Sequence, residues 1–256
     1  MVGYGFEEIT KSKPEKSLTT SNHKSRNNKR ITSRFRGGGH KRKYRLVDFR
    51  RYDKANIPAK VVSVEYDPNR TSRICLLHYA DGEKRYVLAR KDAVVGSTTV
   101  CGSDAPIVSS RKQLKNIPEG LTVYNLEVIP QTKGKLIKSA GGYATISGKD
   151  EATGMVFVKL PSGEVRKFRE NCRATIGVVN EDHKLIVGKA GRTRRSGRKP
   201  RLILNANPVD HPHGEQHKGI GRKHKKMFSG KIVDPGIKTR KKKKRSDKFI
   251  VSRRTK

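Results

Sequence analysis

Residues 188–230 read G-K-A-G-R-T-R-R-S-G-R-K-P-R-L-I-L-N-A-N-P-V-D-H-P-H-G-E-Q-H-K-G-I-G-R-K-H-K-K-M-F-S-G. Arginine and lysine alternate with glycine, proline and asparagine, and no apolar face recurs at either 3.6 or 2 residues. Such a stretch cannot bury enough surface to offset the entropy of ordering it. Its centre, residues 207–214 (N-P-V-D-H-P-H-G), is nevertheless dense in residues that fix or permit particular backbone angles. Pro208 and Pro212 hold Asn207 and His211 extended, and Gly214 is free to take a positive φ. A polar, cationic segment with constrained corners and no core of its own is shaped to lie against something anionic.

Charge supports this and locates it. The chain carries 60 basic and 23 acidic side chains, a net charge of +37. Residues 1–55 hold 16 basic and 5 acidic groups, residues 56–188 hold 20 and 14, and residues 189–256 hold 24 and 4. The ends thus account for 31 of the 37 charges, while the middle resembles an ordinary soluble domain. At this excess the compact state repels itself unless counter-charge is supplied. The expected organisation is a basic N-terminal arm (1–33), two folded bodies (34–110 and 111–188) and a basic C-terminal extension (189–256).

No apolar run approaches the roughly 20 residues needed to cross a bilayer. The first twenty residues, with Glu7, Glu8, Lys11, Lys13, Glu15 and Lys16, contain no apolar h-region, which argues against secretion. Cys75, Cys101 and Cys172 are odd in number and widely spaced. They fit buried free thiols better than a disulfide framework or a zinc ribbon.

Residues 1–33 lack sustained periodicity and read as an extended arm that orders on its partner, with K-S-R-N-N-K-R at 24–30 a cationic loop. Residues 32–51 (T-S-R-F-R-G-G-G-H-K-R-K-Y-R-L-V-D-F-R-R) follow. Gly37, Gly38 and Gly39 permit backbone to approach a phosphate or ribose with no Cβ in the way. Basic residues surround them, and Phe35 and Tyr44 interleave as stacking surfaces. The competing reading is a hinge followed by an edge strand over 44–49, whose aromatics enter the core.

The middle reads as all-β. Residues 59–65 are β-branched and end at the turn Y-D-P-N; 73–79 and 84–88 flank Asp81-Gly82, a strong hairpin signal. Residues 96–101 supply another short strand, and the set suits a small barrel. Residues 111–120 look irregular, a link to a second β unit. Residues 121–129 alternate, with Leu121, Val123, Asn125, Glu127 and Ile129 on one face and Tyr124, Leu126 and Val128 on the other. Residues 144–147, 155–160 and 164–168 read as strands, the last two joined by a tight turn at 161–163, and 175–180 closes a second small barrel. His78 and His183 fit strand and loop surfaces. The octet 238–245 (K-T-R-K-K-K-K-R) reads as direct nucleic-acid contact or a nuclear-localisation patch, and 247–256 as a terminal strand or docking segment.

R-F-R-G-G-G-H-K-R-K-Y-R at 34–45, E-Y-D-P-N-R at 65–70, D-G-E-K-R-Y at 81–86, C-R-A-T-I-G at 172–177 and N-P-V-D-H-P-H-G at 207–214 together resemble the universal large-subunit ribosomal protein L-two family, in the same order and from about residue 16 onward. The resemblance implies two packed β-barrels, first OB-like and then SH3-like, and a long extension threading into ribosomal RNA beside the peptidyl-transferase centre. It further implies roles in subunit assembly, subunit association across an intersubunit bridge, tRNA binding and peptide-bond formation. The spellings E-I-T-K-S-K-P-E-K-S-L-T and I-C-L-L-H-Y-A-D-G-E-K-R-Y are similar to bacterial and organellar members. Where such members usually run H-P-H-G-G-G, this chain has Glu215-Gln216 after Gly214, which suggests a divergent genome such as an organelle's.

The expected RNA-binding residues are Arg26, Arg34, Arg36, Gly37, Gly38, Gly39, His40, Lys41, Arg42 and Arg45 toward the N-terminus. In the extension they are Arg192, Arg194, Arg195, Arg198, Lys199, Arg201, Asn207, His211, His213, Arg222, Lys223, Lys241 and Arg245. No catalytic set is expected: there is no Walker loop, nucleophile elbow or convincing carboxylate pair. His211, His213 and His217 have metal-like proximity, but Pro212 intervenes and Lys218, Lys223, Lys225 and Lys226 oppose a cation. Their imidazoles fit hydrogen bonding to phosphate or ribose. No cofactor is expected, Mg2+ entering only through the RNA. The rival class, a DNA-compacting protein or RNA chaperone, shares the charge but needs neither the constrained 207–214 segment nor two β bodies.

Overall fold

A computed structural model of the chain describes residues 9–21, 26–27, 30–31, 37, 39–102, 105–106, 110–180, 188–198, 225–226, 232–233 and 244–254. The fold is mainly β. Its strands are β1 (Thr19–Ser21), β2 (Arg26–Asn27), β3 (Arg30–Ile31), β4 (Lys43–Arg45), β5 (Ala59–Glu65), β6 (Ile74–Tyr79), β7 (Lys84–Leu88), β8 (Thr98–Thr99), β9 (Arg111–Gln113), β10 (Thr122–Tyr124), β11 (Ala144–Asp150), β12 (Met155–Lys159), β13 (Val165–Arg169) and β14 (Arg173–Ile176). A short helix, α1 (Ala190–Arg195), precedes β15 (Lys225–Lys226), β16 (Ile232–Val233) and β17 (Ile250–Ser252). Two compact units result: residues 1–23, 41–186 and 248–256 form one, and residues 24–40 with 187–247 form the other.

In the first unit a four-stranded antiparallel sheet runs β7-β6-β5-β8. β5 pairs β6 from Ala59 opposite Tyr79 to Glu65 opposite Ile74, with a bulge between Val61 and Ser63. The bulge breaks the alternation, so Lys60 and Val62 face out but Ser63, Val64 and Glu65 are all buried. The β6–β7 hairpin turns at Asp81-Gly82, where Gly82 takes φ +84. A core of Ala59, Val61, Val64, Cys75, Leu77 and Tyr79 lies on one side, and Ile74, Leu76 and Tyr86 form a second cluster.

Residues 9–21, read above as part of an extended arm that orders on its partner, dock on this sheet. β1 pairs β4, with Thr20 opposite Tyr44. The Thr10 N–H donates to Val64 O at 3.1 Å, and the Glu15 N–H donates to Tyr86 Oη at 2.7 Å. Leu18 packs against the cluster around Tyr86. The expected 44–49 strand is confined to β4, followed by a lone bridge from Val47 to Tyr86.

The second sheet runs β17-β13-β12-β11-β10-β14-β9. Its core gathers Leu114, Ile117, Val123, Leu126, Ala144, Ile146, Val156, Val158, Phe168, Cys172, Ala174 and Ile176. The β12–β13 turn closes at Gly163 (φ +83), whose N–H donates to Leu160 O at 2.8 Å. β17 pairs with β13, which makes the chain's last segment an edge strand of this sheet, one of the two readings given to it.

Two expectations fail here. Residues 111–120 are no loose link: β9 pairs β14, and Leu114 and Ile117 are fully buried beyond it. The 121–129 alternation stops at Tyr124, because Asn125 turns left-handed (φ +50), a conformation asparagine tolerates. Asn125, Leu126 and Glu127 are then buried in succession while Val128 and Ile129 are exposed.

The two sheets join through polar side chains. Arg111, 0 % exposed, donates from Nη2 to Glu127 Oε1 at 2.6 Å, from Nη1 to Asn125 O at 2.9 Å and from Nε to Arg50 O at 3.0 Å. Glu127 Oε2 accepts from Tyr52 Oη at 2.5 Å and from the Arg173 N–H at 3.1 Å. Burial lowers the Arg111 pKa, opposed by the Glu127 charge. Burial, then the hydrogen bond to Glu127, raises that of Tyr52. Leu88, Tyr124 and Val179, with Phe49 and Ile137 against them, form an apolar cluster across the same joint. Cys75, Cys101 and Cys172 are free and buried.

Candidate nucleic-acid interface

α1 lies in the stretch that showed no periodicity in sequence. Arginine is a good helix former, and basic side chains in the last turn complement the negative end of the helix dipole. The helix stops at Gly197, which takes φ +82. The Gly197 N–H donates to Arg194 O at 2.9 Å and the Arg198 N–H to Thr193 O at 3.1 Å, the paired bonds of a Schellman cap.

The glycine run completes that cap within the same unit. The Gly37 N–H donates to Gly197 O at 2.9 Å and the His40 N–H to Arg195 O at 3.0 Å. Gly39 has φ +81, and a Cβ placed there would lie 2.5 Å from Arg195 O and 2.7 Å from Gly197 N. Glycine at 39 therefore serves a close approach, as its lack of a Cβ implied, but the atoms approached are the chain's own. What the pairing presents outward is a set of exposed arginines: Arg192, Arg194, Arg195 and Arg198, with no acid in residues 188–198. Like charges so crowded repel unless an anion lies between or beside them.

The other expected residues divide into three groups. Lys41, Arg42 and Arg45 belong to the other unit. There Lys41 is exposed, Arg42 Nη1 donates to Pro68 O at 2.8 Å, and Arg45 is 8 % exposed with Nη1 donating to Lys43 O at 3.0 Å. Arg45 is thus mostly withdrawn from solvent. Arg245 is exposed in a 3-10 turn (Arg245–Phe249), and Arg26 is placed by its backbone in the β2–β3 hairpin. Arg34, Arg36, Gly38, Lys199, Arg201, Asn207, His211, His213, Arg222, Lys223 and Lys241 lie outside the described residues, as does the 207–214 segment. So does His183; His78 is half-buried on β6.

Among the described residues no group of three His, Cys, Asp or Glu could hold a metal ion, and no helix is long and apolar enough to cross a membrane. Sequence reasoning missed α1 and the docking of glycine 39 on it. The one available signal was Ser196-Gly197, a C-cap pattern after a run of arginines.

Residues 15–101 match the family model described as Ribosomal Proteins L2, RNA binding N-terminal domain. Residues 108–230 match the one described as Ribosomal Proteins L2, C-terminal domain. The two matches follow one another in order, take in most of the chain, and contain the segments 34–45, 65–70, 81–86, 172–177 and 207–214 quoted above.

Proposed function

The chain belongs to the ribosomal protein L2 family, and from that premise we propose that its cationic extensions bind large-subunit ribosomal RNA and buttress the peptidyl-transferase centre. As a family member it is a structural, RNA-binding protein of the large ribosomal subunit that acts in translation, and its two β bodies are the OB-like and SH3-like barrels. In the proposal the residues named above, from Arg26 to Arg45 and from Arg192 to Arg245, contact RNA. The segment 207–214 runs near the reaction centre, and the protein contributes to subunit association and tRNA binding. It does so without catalysis of its own and without a cofactor, Mg2+ arriving with the RNA. Its site of action is the large subunit of a bacterial or organellar ribosome, and the chain divides as 1–33, 34–110, 111–188 and 189–256.

One observation carries the reading: 24 basic against 4 acidic side chains in residues 189–256, four of the arginines exposed together on and just after α1. If ten such cations meet phosphates, log affinity falls against log salt with a slope of roughly −7 to −9. Filter binding of the full chain to its ribosomal RNA site measures this, and a slope near about −2 overturns the two-extension reading. Arg198→Ala is expected to make the slope shallower by about 0.7 to 0.9 while leaving the melting temperature of the β bodies unchanged. A loss of many degrees would mean that Arg198 is structural. Co-sedimentation in high salt separates the rival, because a chaperone washes off the large subunit and a structural constituent does not.

A further inference from the structure

A cleft of about 610 Å3 opens beside the joint of the two barrels, lined by Tyr52, Gln113, Pro130, Gln131, Asn171 and Arg173. That is within the roughly 300–1,000 Å3 of pockets that enclose small ligands. Its wall is planar and charged: the Arg173 guanidinium lies over the Tyr52 ring, 4.1 Å from the centroid. The ring is held from behind by Glu127 Oε2, which accepts from Tyr52 Oη at 2.5 Å, and the same oxygen anchors the strand by accepting from the backbone N–H of Arg173 at 3.1 Å. The remaining lining offers three side-chain amides, each a donor and an acceptor, and no carboxylate.

Gln131 adds a second observation. Residues 129–132 form a turn closed by the Thr132 N–H on Ile129 O at 3.3 Å, with proline at its second position and Gln131 at φ +60 in its third. Glycine or asparagine suits that third position. The turn instead carries, at a conformational cost, a long amide side chain that lines the cleft.

We propose that this cleft receives an unpaired base of large-subunit ribosomal RNA. An arginine–tyrosine stack provides the flat cationic surface on which splayed-out bases rest, and amides read their polar edges. An apolar side chain of a neighbouring protein would desolvate the amides of Gln113, Gln131 and Asn171 without replacing their hydrogen bonds, which disfavours a protein occupant. The inference rests on the ribosomal-RNA reading above.

The test uses full-length chain carrying a photo-crosslinking benzoylphenylalanine in place of Gln131, assembled into large subunits. Alongside it, Gln131→Gly relieves the positive φ while removing the amide, so its melting temperature should hold or rise. The expected result is a crosslink to one unpaired nucleotide, whose base-edge chemical reactivity increases several-fold in Gln131→Gly particles. A crosslink only to a neighbouring protein overturns the proposal, and so does the absence of any crosslink in particles that contain the chain. In both cases the ribosomal-RNA reading stands, because the chain has co-sedimented with the subunit. Absence of the chain from the large subunit removes that reading, and this inference with it.

Discussion

Replacing Arg111 by methionine tests the claim that a buried ion pair, rather than apolar contact alone, locks the two barrels together. Arg111 and Glu127 side chains are both 0 % exposed. The substitution leaves the Glu127 carboxylate buried with, among the described residues, only Tyr52 Oη and the Arg173 backbone N–H as donors. It also strips Arg50 O and Asn125 O of the guanidinium N–H groups they accept from. Removing one partner of a buried pair costs about 3–5 kcal/mol. At about 2–4 °C per kcal/mol for a folded unit of this size, the melting temperature should fall by roughly 6–20 °C. Melting of the full chain in high salt, followed by near-UV absorbance of its tyrosines, is the assay. Arg111→Met with Glu127→Leu removes both charges and should be less destabilised than the sum of the two single changes, a coupling of at least about 1 kcal/mol. A single variant that melts within about 2 °C of the parent would refute the reasoning, since an uncompensated buried carboxylate cannot be that cheap.

Two further outcomes follow from the same geometry. Gly39→Ala should loosen the cap on α1, because its Cβ meets backbone at 2.5 Å and φ is +81, and hydrogen exchange at the His40 and Gly197 amides should speed up. Gly188→Ala, with φ +65 but nothing within 4 Å, should show only the backbone cost of about 1 kcal/mol, and equal effects would contradict the close approach. Burial pushes the thiols of Cys75 and Cys172 from 9.0 up to about 12 and about 11, so a thiol reagent at pH 8 should label neither until the chain unfolds. Because the folded values lie above the unfolded one, the stability linked to these thiols is complete below about pH 9 and is lost as pH rises toward 11–12. Stability that climbs over that window would reverse the assignment.

How much of this was legible depended on what kind of residue forms each contact. β5, β6, β7, β12 and β13 could be placed to within a residue or so, because apolar runs bounded by Asp81-Gly82 and Ser162-Gly163 announce both the strand and its end. The joint was illegible. Arg111 falls in the stretch read as a link, and Asn125 and Glu127 share a strand face with Leu121 and Val123; their burial depends on partners, Tyr52 and Arg173, that are distant in sequence and reveal themselves only when both sheets are formed. The same holds for residues 9–21, whose docking rests on one strand pair, on bonds made by the Thr10 and Glu15 amides and on a single apolar side chain, Leu18, too little to give a periodic pattern. For the interface, the cationic character of 189–198 was visible, but the use of glycine 39 was not: an absent Cβ signals that something comes close without saying what.

That distinction also explains why one set of cations can be internal and another cannot. Within residues 41–180 arginines and lysines have acids to meet: Arg85 bonds Asp48, Asp53 and Glu83, Lys54 bonds Asp81 and Glu83, and Arg111 bonds Glu127. Residues 189–256 hold four acids for 24 cations, so pairing every acid still leaves twenty positive charges. No rearrangement of that segment can neutralise it from within. A polyanion that supplies the missing charge is therefore expected to bind it, with an affinity that falls steeply with salt. The β bodies, with 14 acids for the 26 cations of residues 41–180, should keep their melting temperature over the same range.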